Sequence, residues 1–298
     1  MDAQLIRIGA THARVSLRGR RGETGVTVDV TLGGDGKRAE LNRARLRSVE
    51  QLRRELSTLV FTPDRLAVVK GGPAVRRAYL DRSLARLLPS RASLPVEYLS
   101  AIGQRNAALR RVAAGQSSLE AVLPWTDQVA SLGASLVEAR REAISLLEDG
   151  FAEHARELGL PDCALAYEGD PPTRDALVAR LERDVERGTT GLGPHLDDVS
   201  IRSGPRDLRT FGSQGEQRLA VLSLLLAEAK ALHERNGIAP LLLLDDVLSE
   251  LDSPRRAALA ERLSGLGQTV VTATGADALP VAPLQRLEVT PGRVREVA

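Results

Sequence analysis

The sequence predicts an α/β protein with an inserted α-helical lobe, and three features carry that reading. Leu241 to Leu244 is an unbroken apolar run, the mark of a strand buried on both faces of a parallel sheet. A helix-compatible stretch and a segment that reads as another buried strand, Gln268 to Thr274, follow it and complete a βαβ unit. Ahead of that unit, a front region of period-two alternation gives way to a long region of helical periodicity.

The front region reads as a small β meander. Ala13, Val15 and Leu17, then Val26, Val28, Val30 and Leu32, alternate with polar residues as half-buried strands do. Gly33, Gly34, Asp35 and Gly36 punctuate a turn before Ala39 and Leu41. The pattern changes at Pro63. Pro73 opens a helix with Tyr79, Leu80, Leu84, Leu87 and Leu88 on one face, and Pro89 closes it.

A helix over about 96–112 follows, and then a longer one. In the latter, Trp125, Val129, Leu132, Leu136, Ala139, Ala143 and Leu146 recur at spacings of four and three. That seam suits a long core helix, with an intermolecular coiled coil as the alternative. Asp170, Pro171, Pro172 and Thr173 lead into a shorter helix, and 188–194 breaks regular structure before a second β-containing region. The implied division is 1–72, a helical lobe over 73–188, and 189–298.

Composition narrows the class. The chain has 298 residues, 43% of them hydrophobic, enough for a substantial core. Its one cysteine, Cys163, excludes an internal disulfide, there is no signal-peptide pattern, and no apolar stretch approaches the ~20 residues of a membrane span. A soluble protein of a reducing cytoplasm is expected. The net charge of +2 does not argue for nucleic acid by itself, although the cations are arginines apart from Lys37, Lys70 and Lys230. Arginine suits phosphate, and codon bias explains the same excess.

The chemistry concentrates in the last third. Asp245 and Asp246 end the buried strand, where carboxylates face the usual ligand crevice of a parallel sheet. In a nucleotide triphosphatase the first such acid holds Mg²⁺ and the second orients or deprotonates water; a capping or loop-binding pair is the alternative. Upstream, Ser213 and Glu216 have capping-box spacing at the start of a helix that Asn236 and Gly237 stop. Ser213 and the open backbone at Gly215 also offer donors to an anion, and both readings can hold together. Leu248, Ser249, Glu250, Leu251 and Asp252 form a short loop, with Ser253 and Pro254 read as N-cap and first-turn residue of the next helix.

The order of these pieces resembles the C-terminal half of an ABC-type ATPase head, a P-loop NTPase-like mixed sheet. FGSQGEQR at Phe211, LLLLDDVLSELD at Leu241 and VVTAT at Val270 resemble the RecF family of DNA-repair ATPases. So do FTPDRLAVVKGGPAVRRAYLD at Phe61, QRN at Gln104 and GPHLDD at Gly193. The resemblance implies an ATPase lobe with a helical insertion, ATP and Mg²⁺ as cofactors, and an ATP-dependent homodimer. It further implies binding of DNA at junctions between duplex and single strand, support of recombinase loading in gap repair and replication, a RecR-like partner and a cytoplasmic, nucleoid-associated protein.

By motif, Asp245 would bind Mg²⁺ and Asp246 would act on the water. Ser213, Gly215 and Gln217 would serve the nucleotide held by the partner subunit, Asp252 would be the acid at the dimer seam, and Thr272 or Thr274 would take the switch position. Arg76, Arg77, Arg105, Arg110 and Arg111 are candidate DNA-phosphate contacts, with surface or ion-pair roles as the alternative. Aromatic residues make up 2% of the chain, which disfavours stacking on single-strand bases.

Two departures stand out. The chain contains no GxxxxGK[ST] loop to grip the β- and γ-phosphates; the run from Gly33 to Lys37 reads as a hairpin turn. Hydrolysis of ATP by this chain alone is therefore not expected, and a fragment, or a start assigned too late at Met1, is. Loss of the strand that precedes such a loop would leave Leu241–Leu244 as an open sheet edge. The second departure is Leu196, where the family has a basic residue. Two other classes stay open: a non-catalytic interaction protein, and a metal-dependent nuclease using Asp245, Asp246 and His195.

Overall fold

The computed structural model describes residues 2–34, 36–47, 52, 56–249, 251–275 and 280–297; Asp35 and Glu250 lie outside them. The front region is an antiparallel meander of β1 (His12–Arg21), β2 (Thr24–Gly33), β3 (Gly36–Leu41) and β4 (Ala44–Arg45). Alternation predicted these strands but not the burial of the first. Val28, Leu32 and Ala39 are buried, whereas Val15 and Leu17 are 65% and 42% exposed.

β5 (Thr58–Phe61) then runs to the carboxyl edge of a different sheet and leads through a 3₁₀ turn, Pro63–Leu66, into α1 (Ala67–Lys70). The helical region comprises α2 (Pro73–Leu87), α3 (Leu94–Ala113), α4 (Leu123–Glu157), α5 (Arg174–Ala179) and α6 (Leu181–Arg187). Tyr79, Leu80, Leu84 and Leu87 of α2 are buried, as the stripe predicts. The 35 residues of α4 make a rod of about 52 Å. Its seam residues Val129, Leu136, Ala139 and Ala143 lie in the same core as Leu222 and Leu226 downstream, so the intramolecular reading of the seam holds.

β6 (Cys163–Glu168) was not foreseen. Cys163 and Leu165 point inward between exposed Ala164 and Ala166, too small a contrast to register as alternation. It pairs antiparallel with β7 (Asp198–Ser203), placing Leu165 opposite Ile201, and so ties the end of α4 to the C-terminal region. β8 (Arg206–Asp207) and α7 (Leu208–Phe211) lead to α8 (Gln214–Asn236).

The remaining elements are β9 (Leu241–Leu244), α9 (Ser253–Ser264), β10 (Thr269–Val271) and a hairpin of β11 (Arg286–Thr290) and β12 (Arg293–Val297). β9 is the centre of a three-stranded parallel sheet in the order β10-β9-β5. This corrects the expectation of an open edge at Leu241–Leu244: β9 is paired on both sides, and β10 and β5 are the outer strands among the described residues. Asp252, not Ser253, is the N-cap of α9, its carboxylate accepting the Arg255 amide at 3.0 Å. Among the described residues no helix is long and apolar enough to cross a membrane.

Candidate nucleotide site

The three parallel strands end together, and the polar groups just past their carboxyl ends form the site. Asp245 follows β9 and donates its amide to the Phe61 carbonyl at 2.9 Å. Thr272 follows β10, with its amide on the Leu244 carbonyl at 2.9 Å. Its hydroxyl donates to Asp245 Oδ1 at 2.6 Å and accepts the Asp246 amide at 3.0 Å. One threonine thus couples the two acids.

Asp246 has φ = 50°, in the left-handed region that aspartate tolerates better than most side chains. Ser249 holds it there, donating towards both the Asp246 carbonyl (3.2 Å) and carboxylate (3.1 Å). Buried Val247, Leu248 and Leu251 anchor the loop from below. The sequence shows Ser249 only as a loop residue; its position three after an acid in a turn is the signal that points to this role. The acids are therefore held just past the carboxyl ends of the strands by neutral hydroxyls, and among the described residues neither forms an ion pair.

The second constellation is the start of α8. Ser213 Oγ accepts the Glu216 amide at 3.2 Å while Glu216 accepts the Ser213 amide at 2.8 Å, a complete capping box. The bond from the Ser213 amide and the contact with Arg206 lower the Glu216 pKa. Ser213 and Gly215 are exposed, and a side chain at Gly215 would meet nothing nearer than Ser213 Oγ at 4.0 Å. The amides of the first turn have no intrahelical acceptors, so structural cap and anion-ready donors coexist here.

Several predicted site residues are occupied otherwise. Gln217 is buried and its amide donates to the carbonyl of Leu208 at 2.9 Å, fastening α7 to α8, so it is not free for a nucleotide. Asp252 caps α9 and stands 3.5 Å from Arg255. Arg76 is buried and grips Asp198 through two 2.7 Å bonds while also donating to the Gly71 carbonyl. Arg105 is fully buried in an ion pair with Asp184, itself fully buried, at 2.8 Å. Neither arginine can reach a phosphate outside, which corrects two of the five candidate DNA contacts. Arg77 is half-buried on the Asp197 carbonyl at 2.6 Å, while Arg110 and Arg111 are exposed.

The QRN and GPHLDD blocks prove to be one structural clasp. Asn106 accepts the amide and hydroxyl of Thr190 at 2.8 and 2.7 Å. His195 donates from Nε2 to the Thr190 carbonyl and accepts from Tyr98 at Nδ1. Burial lowers its pKa, so the ring is neutral with both nitrogens satisfied. Tyr167 donates to Asp197 at 2.6 Å. With His195 and Asp197 committed in this way, the nuclease reading loses its histidine; among the described residues no group of three metal-ligating side chains forms.

No family model matches the chain. It is 33% identical over 292 residues to the DNA replication and repair protein RecF of Heliobacterium modesticaldum, covering 92% of this chain and 77% of that one. The RecF protein of Bacillus subtilis is likewise 33% identical, over 93% of this chain and 80% of its own. Among solved structures, RecF with ATP, described as a recombination mediator of the RecFOR pathway, superposes with a TM-score of 0.85 at 24% identity, over 99% of this chain and 83% of that one. An Smc head bound to the C-terminal winged-helix domain of ScpA gives 0.52 at 15% identity, over 97% of this chain and 74% of that one. These two likenesses establish the ABC-type ATPase-head fold.

Proposed function

The chain belongs to the RecF family, and from that premise we propose that it is an ATP-responsive DNA-binding protein of recombinational gap repair and replication. It engages DNA at junctions between duplex and single strand, supports recombinase loading with a RecR-like partner, and works in the cytoplasm at the nucleoid. In this reading 1–72 and 189–298 form the ATPase lobe and 73–188 the helical lobe.

The observation that carries the proposal is the arrangement in which Thr272 bridges Asp245 and Asp246 at the ends of parallel strands. Asp245, with an exposed carboxylate beside a hydroxyl, is suited to Mg²⁺, and Asp246 to orienting water. The sequence holds no GxxxxGK[ST] loop. The α8 donors at Ser213 and Gly215 act across the homodimer seam on ATP held by the other subunit.

The test is a mixing experiment with a RecF subunit that carries the GxxxxGK[ST] loop, following ATP hydrolysis and ATP-dependent retention of a gapped duplex. Adding this chain should stimulate both, and Ser213→Arg should remove the stimulation. DNA retention indifferent to nucleotide in the mixed assembly would refute the proposal in favour of a non-catalytic interaction protein.

A further inference from the structure

Helix α2 carries four arginines and one acid, Asp81. Arg76 is taken up by Asp198, Arg77 by the Asp197 carbonyl, and Asp81 by a two-bond pair with Arg140. Arg82 and Arg86 remain, one helical turn apart and therefore on one face. Arg65, from the 3₁₀ turn after β5, joins Arg86 around a cavity of about 20 Å³ that Tyr79, Glu228 and the outer strand β5 also line. Such a volume holds about one water or one anionic oxygen.

The charges in this cluster do not balance. Glu228 is 1% exposed and accepts from Tyr79 at 3.2 Å, Ser83 at 3.1 Å and Arg86 at 2.5 Å. Burial works against the charge on Arg86, but Glu228 outweighs it and raises the pKa. Among the described residues neither Arg65 nor Arg82 has an ion-pair partner, so three guanidiniums share one carboxylate. Partial burial, then repulsion from Arg65 and Arg86, lowers the Arg82 pKa. Arg82 is exposed and Arg65 half-exposed, which leaves the excess charge open to an external anion.

We propose that Arg65 and Arg82, backed by the Arg86–Glu228 pair, form a binding site for the phosphodiester backbone of duplex DNA. The site replaces the contacts that burial of Arg76 and Arg105 removes, and it rests on the DNA-binding reading above. Planar guanidiniums suit phosphate oxygens, and this cluster has no aromatic platform open for bases, since Tyr79 is 9% exposed. The recognition is therefore of backbone charge and not of sequence.

The test is fluorescence anisotropy of a short labelled duplex with the full chain and its Arg65→Ala/Arg82→Ala variant across a salt series. Arg86 is left in place because its removal would strand buried Glu228. Two lost phosphate contacts should make the slope of log affinity against log salt shallower by about 1.8. Between about 50 and 200 mM salt, the variant's affinity should then fall about 12-fold less than that of the unmodified chain. Arg65→Lys/Arg82→Lys should keep most of the slope, and matching thermal melts should exclude misfolding. An unchanged slope while the unmodified chain binds duplex overturns the site and leaves the DNA-binding reading standing. Absence of duplex binding by the unmodified chain overturns the site, whereas the DNA-binding reading stands or falls on the mixed assembly. Loss of affinity for a polyglutamate peptide with duplex binding unaltered overturns the DNA assignment in favour of an acidic protein partner.

Discussion

Removing the carboxylate of Asp184 is the sharpest test of how the helical region is held. Arg105 and Asp184 are both fully buried, and the guanidinium also donates to Thr126 at 3.1 Å, Thr190 at 2.8 Å and the Leu177 carbonyl at 3.4 Å. Asp184→Ala would strand that cation in a dry site, a loss of about 3–5 kcal/mol. Replacing both partners, as Arg105→Met/Asp184→Leu, removes both charges. It still leaves the Gly191 amide, now bonded to Asp184 at 3.1 Å, without its acceptor. Thr126 and Thr190 keep their bonds to the Val122 carbonyl and Asn106. The double variant should therefore lose only about 1–3 kcal/mol, the cost of stranding one buried polar group. Urea unfolding of the three proteins measures these values, and the single variant should be the least stable. A loss below about 1 kcal/mol for Asp184→Ala would refute the account of a charge-compensated clasp. So would an Arg105→Met protein of full stability that binds DNA weakly, because it would return Arg105 to the DNA surface.

Other expectations follow from the same contacts. Ser213→Ala should destabilise the protein by about 1 kcal/mol through loss of the cap; Ser213→Asp should retain stability yet abolish stimulation of a partner's ATPase, which separates the two roles of this residue. Thr272→Val should raise hydrogen exchange at the Asp246 amide, and unchanged protection would show that the hydroxyl does not hold the acids together. Burial lowers the pKa of both His154 and His195, against opposing contacts from Glu157 and the Thr190 carbonyl respectively. The unfolded chain therefore takes up protons first. Stability is present above about pH 6.5 and is lost as the pH falls through the lower folded-state values. Thermal melts from about pH 8 to about pH 5 should decline more steeply than those of His154→Gln/His195→Gln, and parallel curves would contradict the assignment.

The secondary structure was legible wherever one face differed strongly from the other. The α2 stripe, the α4 seam, the capping box at Ser213 and the apolar run of β9 all announce themselves through local periodicity or local hydrogen bonding. The family blocks also located the acids, because Asp245 and Asp246 sit next to the strand that presents them. β6 escaped because alanines on its outer face give little contrast, and the α9 cap was misplaced by one residue because Asp252 and Ser253 are both good caps.

The partners of the arginines were not legible at all. Arg76 and Arg105 look in sequence like the exposed Arg110 and Arg111, yet their acids lie 122 and 79 residues away. Only chain folding brings such groups together, and burial then decides whether a cation meets a carboxylate or water. The same holds for Thr272 reaching Asp245 across neighbouring strands, for β9 taking the centre of its sheet, and for Arg65 joining Arg82 and Arg86. Local sequence determined the elements and the chemistry carried at their ends; tertiary packing determined which charges were spent internally and which remain to bind something else, because desolvation and pairing depend on distances between residues far apart in the chain.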